Sequence, residues 1–504
     1  MHTRYKKALL VFTLGLSALS SCNDILDQKP TDVINAENAI TSMSDLSKAV
    51  IGVYAIMGNT NVEFRTAGNA DIIISSLLSD ENYLPLENNT GRSVSTYNWA
   101  ITAEDANTLG NWGNSAVSST VANTQSNYAV IDRANRVLRV IDKIPSTPAE
   151  ETLKRQLKAE LLAIRGFSHF KILRSYAENY EGGSLGVPYM ESINDNPADV
   201  KPSRLTVAQT FAKIEADLAA AKSLMPATFN DVTRVTAKAI PAMQSRVYLY
   251  EKKWDEAIAS TTEVINSSSL AHRDQFPGIW TDANVSEVIW KLKRETGNDR
   301  IGVFYNASTS SGVVQTVDFG ASLKLIKSID KVNDVRFASY FLDTNIVRPS
   351  GKTRYIVAKY LGGNISSTPG LADIKLLRVA EMYLIRAEAY LESQSVPDNI
   401  QKATDDLNTL RRERIRNYVS IAYNNKADLL NEIYLERYRE LAFEGHRYFD
   451  LRRRNMEIDR QPFASDDGSE KKKVLKPTDK AYYLPIPGFE MRANPNMVQN
   501  PIYR

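Results

Sequence analysis

The chain has 504 residues, 43% of them hydrophobic and 24% charged, which is length enough for an ample core in one large domain or two interlocked ones. A formal net charge of +3, with acids and bases scattered along the chain, argues against nucleic acid or a polybasic membrane contact as the main partner. Cys22 is the one cysteine, so an intrachain disulfide is excluded.

The first element is an export signal. Arg4, Lys6 and Lys7 lead into an apolar run from Ala8 to Leu19, followed by Ser20, Ser21 and Cys22. A short cationic stretch before a short apolar one marks secretion, and the run is well under the roughly 20 apolar residues that a spanning helix needs. Small residues just before the cysteine predict a signal over residues 1–21 and lipidation of Cys22 as the new N-terminus. Each buried methylene contributes about 0.8 kcal/mol, so two or more acyl chains anchor firmly. No other stretch is apolar enough to span, which predicts a water-soluble domain on a tether. Residues 22–42, with the Lys29-Pro30-Thr31-Asp32 turn signal, read as that tether, and 43–504 as the domain.

Helical patterns follow. Leu153, Leu157, Leu161 and Ile164 fall on one face of a helix reaching Tyr176. Thr206-Val207-Ala208-Gln209 has the form of a capping box, with Val207, Phe211, Ile214, Leu218 and Ala221 stepping behind it. Leu376, Ala380, Tyr383, Ala387 and Tyr390 repeat the spacing. Breaks rich in Pro, Gly and Asn at 179–202, 225–233 and 362–372 separate these helices. Tyr248 and Ala257 stand at the separation found in a tetratricopeptide helix pair, where small residues let antiparallel helices approach closely. A second such pair, from Ala387 to Leu407, has a longer turn. The fold class predicted is mainly α: a tetratricopeptide-like helix-pair scaffold over 129–290 and 375–455, and an irregular, loop-rich layer mainly over 58–127 and 295–370. A few short strands are expected, among them Val288-Ile289-Trp290 and Tyr355-Ile356-Val357.

The loop-rich stretches carry the candidate ligand residues. Sugar rings stack their C–H faces on aromatic rings while amides and carboxylates bond the hydroxyls, so aromatics in polar loops are the feature to seek. Tyr83, Tyr97, Asn98, Trp99 and Trp112 lie in one such stretch, Phe304 and Tyr305 in another. For each ring the alternative is a loop anchored by its own aromatic. Trp254, Trp280 and Trp290 lie in patterned segments and read as core.

The C-terminal third carries dense motifs. Leu377 to Ala389, Glu436 to Arg453, Leu484-Pro485-Ile486-Pro487, Asn494-Pro495-Asn496 and Gln499-Asn500-Pro501 together resemble the SusD/RagB family. So do Asp24, Leu26, Asp27 and Pro30 after Cys22, Asn135 in its helix, and Arg165-Gly166-Phe167 in the next. The resemblance runs end to end and is weakest in the loops. It implies an outer-membrane lipoprotein facing the cell exterior, acting as a hinged lid on a SusC-like, TonB-dependent transporter and capturing oligosaccharides or, in some members, oligopeptides. It implies ligand aromatics in the two general regions above, without fixing which ring. Moderate aromatic content in those loops favours a glycan over a peptide.

Catalysis is not expected, nor any cofactor or metal. Arg437, Glu440, Glu444, Arg447 and Asp450 form a charged stripe if one helix runs through Gly445. Read as chemistry, Glu440 and Glu444 are an acid–base pair. Read as structure, the stripe is an ion-pair ladder, since every acid has an arginine within a turn, and pairing lowers a carboxyl pKa. The four histidines make no His-Glu-x-x-His, Ile346 stands where a phosphate loop ending in Gly351-Lys352-Thr353 needs glycine, and no Gly-x-Ser-x-Gly occurs. A glycosidase needs only two placed carboxylates and stays open as a lesser reading.

Overall fold

The computed structural model describes residues 39–58, 67–85, 93–103, 126–193, 201–308, 314–343, 355–362, 368–460 and 474–504. The signal, Cys22 and most of the tether, and also Trp112, lie outside the described residues. The helices that carry the architecture are α1 (Met43–Ile56), α2 (Ala70–Leu78), α3 (Asn127–Ile141), α4 (Glu151–Tyr176), α5 (Val207–Leu224), α6 (Ala239–Glu251), α7 (Trp254–Ser267), α8 (Val379–Glu392), α9 (Asn399–Arg412), α10 (Lys426–Glu440) and α11 (Arg447–Arg453). Strands are short and pair only in twos among the described residues. Among those residues no helix is long and apolar enough to cross a membrane.

The helices stack in order, α3 on α4, α4 on α5, α5 on α6, α6 on α7, α7 on α8 and α8 on α9 and α10, while α1 lies across α3 and α4. The capping box forms: Thr206 Oγ1 accepts from the Gln209 N–H at 3.1 Å and Gln209 Oε1 from the Thr206 N–H at 3.0 Å. Behind it Val207, Phe211, Ile214, Leu218 and Ala221 are all buried against α4. On α4 itself Leu157, Leu161 and Ile164 are buried as expected, whereas Leu153 is exposed in the first turn. Gly166 sits where α4 meets α5: a Cβ there would stand 3.0 Å from Asp217 Cβ and 3.3 Å from the Ile214 carbonyl. A glycine inside a helix costs about 1 kcal/mol against alanine, and here it lets α4 and α5 cross closely without displacing Asp217 or the Ile214 carbonyl. Arg165 beside it holds Asp217 through Nη2–Oδ1 at 2.6 Å and Asn135 Oδ1 through Nη1 at 3.0 Å, tying α3, α4 and α5 together.

The two tetratricopeptide-like pairs are α6–α7 and α8–α9. Lys252, at φ 59, closes the first turn, and Ala257, Ala387 and Ala403 are fully buried where the helices cross. The second turn is longer, as read from the sequence, and Asp398 at φ 55 ends it. One expectation needs correcting. Leu376 does not begin α8; it lies in a strand, Ile374–Arg378, paired antiparallel with Val288–Leu292. An apolar residue three places before a helix fits either structure, and here cross-strand pairing decides.

The C-terminal motifs act as clasps. Asn500 Nδ2 donates to the Tyr176 and Leu484 carbonyls, and Arg204 Nη1 donates to Asn500 Oδ1. Asn494 Nδ2 reaches the Pro202 carbonyl, and Gln499 exchanges two hydrogen bonds with the Ile486 backbone. Each amide satisfies backbone groups that irregular chain would otherwise bury unpaired.

Candidate functional site

The described parts of 80–99 and 300–321 are brought together by short antiparallel strands. Strand β1 (Asn82–Tyr83) pairs with β2 (Gly320–Ala321), Tyr83 opposite Gly320, and Ser322 reinforces the join by donating from Oγ to the Asp80 carbonyl at 2.8 Å. Around that join the rings assemble. Phe304 stacks on Phe319 with centroids 4.9 Å apart, Tyr97 lies 6.0 Å from Phe319, and Tyr305 stacks with Tyr360 at 6.1 Å. The Tyr305 hydroxyl bonds Ser76 Oγ at 2.8 Å, fixing the cluster to α2. Arg460 lies over both Tyr97 and Trp99, its guanidinium carbon 4.0 Å from each ring centroid, and donates to the carbonyls of Ser79, Tyr97 and Leu77.

The two stretches read from the sequence therefore form one aromatic platform, but its rings face inward. Tyr83, Tyr97, Trp99, Phe304 and Tyr305 are between 0% and 3% exposed, and Asn98 is half-buried. Exposed stacking faces are thus not what these five rings offer in this structure. The physical reason is that α2 is buried on every side and needs an apolar lid, which these aromatics supply. Trp99 also reaches the Leu78 carbonyl with its indole N–H at 3.2 Å, satisfying the polar edge of a buried ring. Phe319, Tyr360 and Arg460 complete the platform, and the last two are not apparent from the sequence. Phe319 ends the second stretch and had a local signal, but Arg460, more than 350 residues from Tyr97, had none.

Beneath the platform lies a buried ion-pair network. The charged stripe is not one helix, because α10 ends at Glu440 and Gly445 turns the chain at φ +81, where a Cβ would meet the Asp71 backbone carbonyl carbon at 2.8 Å. Glu440 accepts from Arg378 Nη1 at 2.9 Å, Arg414 Nε at 3.0 Å and Arg336 Nη1 at 3.1 Å. Burial pushes the Glu440 carboxyl up, but Arg414, Arg378 and Arg336 more than offset it and hold it at about 2. Glu444 accepts from Arg378 and from Lys359 Nζ at 2.7 Å; burial raises its pKa, and those two cations bring it below the ordinary value. Arg437 takes Asp450, and Arg447 takes Asp80 instead of Glu444 or Asp450, the partners its spacing suggested. Carboxylates so tightly paired cannot carry a proton at neutral pH, so the ladder is structural. Glu81 differs. It is buried beside Asp80 and accepts from the Phe443 N–H at 2.9 Å; burial, with Asp80 adding, raises its carboxyl to about 7. Trp280 and Trp290 are core residues as expected, and Lys359 lies between the Trp280 and Tyr340 rings at 4.0 and 3.9 Å. Trp254 is only half-buried. Among the described residues no cluster of three or more His, Cys, Asp or Glu is placed to hold a metal ion.

Comparison with known proteins fits this architecture. A profile of the SusD family matches residues 328–503, and one described as "Starch-binding associating with outer membrane" matches 26–249. SusD-like protein P2 of Formosa agariphila is 24% identical, aligned over 98% of this chain and 99% of its own. A SusD superfamily protein from Bacteroides thetaiotaomicron has the same fold, with a TM-score of 0.76 at 24% identity over 92% of this chain and 100% of that one. A laminarin-binding SusD-like protein superposes with a TM-score of 0.67 at 19% identity, again over 92% and 100%.

Proposed function

We propose that this chain, which belongs to the SusD family, is a lipid-anchored outer-membrane lipoprotein that captures oligosaccharides outside the cell and passes them to a SusC-like, TonB-dependent transporter as its lid. The single observation that carries the reading is the convergence of the two polar, aromatic stretches on one platform, on the loop-rich part of a chain whose remainder is helix-pair scaffold. A laminarin-binding protein sharing the fold supports a sugar as the ligand class. With Tyr83, Tyr97, Trp99, Phe304 and Tyr305 engaged in packing, ligand contact is assigned to the rest of the candidate set, Asn98 and Trp112. Hydroxyl groups of a sugar suit the Asn98 amide, and its C–H face suits an indole. Saturation of Glu440 and Glu444 by arginine supports binding without catalysis.

The experiment is titration of the chain with neutral oligosaccharides of the laminarin and starch types, and with oligopeptides of similar size. Saturable binding of an oligosaccharide, weakened in Trp112→Ala, is the expected result. Saturable binding of peptides alone would replace the glycan by a peptide in the same lid role, and co-purification with the transporter tests that role directly.

A further inference from the structure

A cavity of about 750 Å³, lined by none of the platform's residues, opens between the C-terminal ends of α4, α6 and α11 and the flanks of α8 and α10. Its size falls in the range of about 300–1,000 Å³ that takes a small ligand. Three consecutive arginines from the end of α11 line it, and they are not equivalent. Arg453 is fully engaged, with Nη2 on Glu388 at 2.7 Å and Nε on Asp450 at 2.9 Å. Arg452 spends both terminal nitrogens on the carbonyls that end α4, of Arg174, Ser175, Ala177 and Glu178, while its buried Nε has no partner among the described residues. The half-buried Arg454 side chain makes no ion pair or hydrogen bond among the described residues; it lies over the Tyr434 ring, its guanidinium carbon 3.0 Å from the centroid. One carboxylate oxygen of Glu178, in the same wall, is also buried without a partner.

Buried polar atoms without partners are costly, and here they are the Glu178 carboxylate oxygen and Arg452 Nε, while the half-buried Arg454 guanidinium lines the cavity beside them. The cavity offers an unpaired guanidinium, an unpaired carboxylate oxygen, and the rings of Tyr434, Tyr180 and Trp254. Its complement carries an anionic group for the guanidinium, a hydroxyl for the carboxylate and a C–H face for the rings. We propose that this cavity is a ligand site for an acidic oligosaccharide, with Arg454 holding its carboxylate or sulfate and Glu178 accepting from a ring hydroxyl. The inference rests on the glycan reading above and adds a separate site, for an acidic glycan.

The test is calorimetric titration of the full chain and its Arg454→Gln variant with trigalacturonate, with a sulfated oligosaccharide, and with a neutral oligosaccharide of equal length. Arg454→Gln loses only the contact with the Tyr434 ring and no ion pair, so a thermal melt is expected to fall slightly at most and to show that the variant is folded at the titration temperature. A charge-assisted hydrogen bond contributes about 1.5–3 kcal/mol, so Arg454→Gln is expected to weaken the acidic ligand by about tenfold or more. Whichever acidic probe binds tells carboxylate from sulfate. Equal affinity of the two proteins for the acidic probes, or no binding of either acidic probe to wild type, overturns the site. The neutral probe keeps the readings apart: if it binds while the acidic probes gain nothing from Arg454, only this inference falls.

Discussion

Arg447 and Asp80 meet in a two-point pair, Nε to Oδ1 at 2.7 Å and Nη2 to Oδ2 at 2.9 Å, joining positions 367 residues apart. The pair fastens the last scaffold helix to the base of the aromatic platform. Burial would raise the Asp80 carboxyl, but Arg447 and Lys324 override it and hold it well below the ordinary range.

Arg447→Ala leaves a fully buried carboxylate with Lys324 alone, and breaking a buried pair costs about 3–5 kcal/mol. The expected outcome is a clear drop in thermal midpoint with ligand affinity of the folded fraction unchanged. Arg447→Lys keeps the charge but loses the two-point geometry, and it falls between. An unchanged midpoint with lost ligand binding would move Arg447 into the binding site.

This pair also shows where sequence reading stops. The apolar steps of α4 and α5, the Thr206–Gln209 capping box, the α6–α7 pair and the strands at 288 and 355 were legible because each is local and periodic. The Arg447 partner was not, since spacing names only neighbours within a turn and the chain breaks at Gly445. The ring-bearing stretches were legible as stretches, and their inward orientation was not. A polar, irregular composition says that a segment is loop; whether its aromatic faces solvent depends on what lies beneath, here the wholly buried α2. Trp99 turns inward at φ 58 and meets Arg460, and no local pattern announces either.

Trp99 and Trp112 are expected to separate. Trp99→Ala removes a buried ring and its Arg460 contact, so it loses about 3–5 kcal/mol of stability while the folded fraction binds ligand normally. Trp112→Ala is expected to melt like wild type and to lose about 2 kcal/mol of binding, over tenfold in affinity. Parallel melts and titrations check both, and reversed behaviour would exchange their roles.

Glu81 gives a pH signature. Its carboxyl is raised to about 7 in the fold, against 4.5 for the unperturbed group. Between those values the folded state keeps a proton that the unfolded state has released, so stability falls as pH rises from about 4.5 to about 7 and is level above. The shift corresponds to roughly 3 kcal/mol. Glu81→Gln retains the acceptor for the Phe443 N–H and cannot ionise, so its stability relative to wild type is expected to grow across that window. Denaturant titrations at pH 5, 6, 7 and 8 read the difference, and parallel curves would refute it.

Cys22→Ser is expected to leave the chain without acyl groups and absent from the outer-membrane fraction. Lipid labelling and fractionation in cells lacking the transporter check this, and retention of the variant there would contradict a lipid anchor.

The central claim, capture of a glycan on the platform side, is tested most directly by calorimetric titration of wild type and Trp112→Ala with neutral oligosaccharides and with oligopeptides. The account predicts saturable binding of an oligosaccharide by wild type, a loss of over about tenfold in the variant, and no binding of peptides. Saturable peptide binding with no response to any oligosaccharide would contradict it.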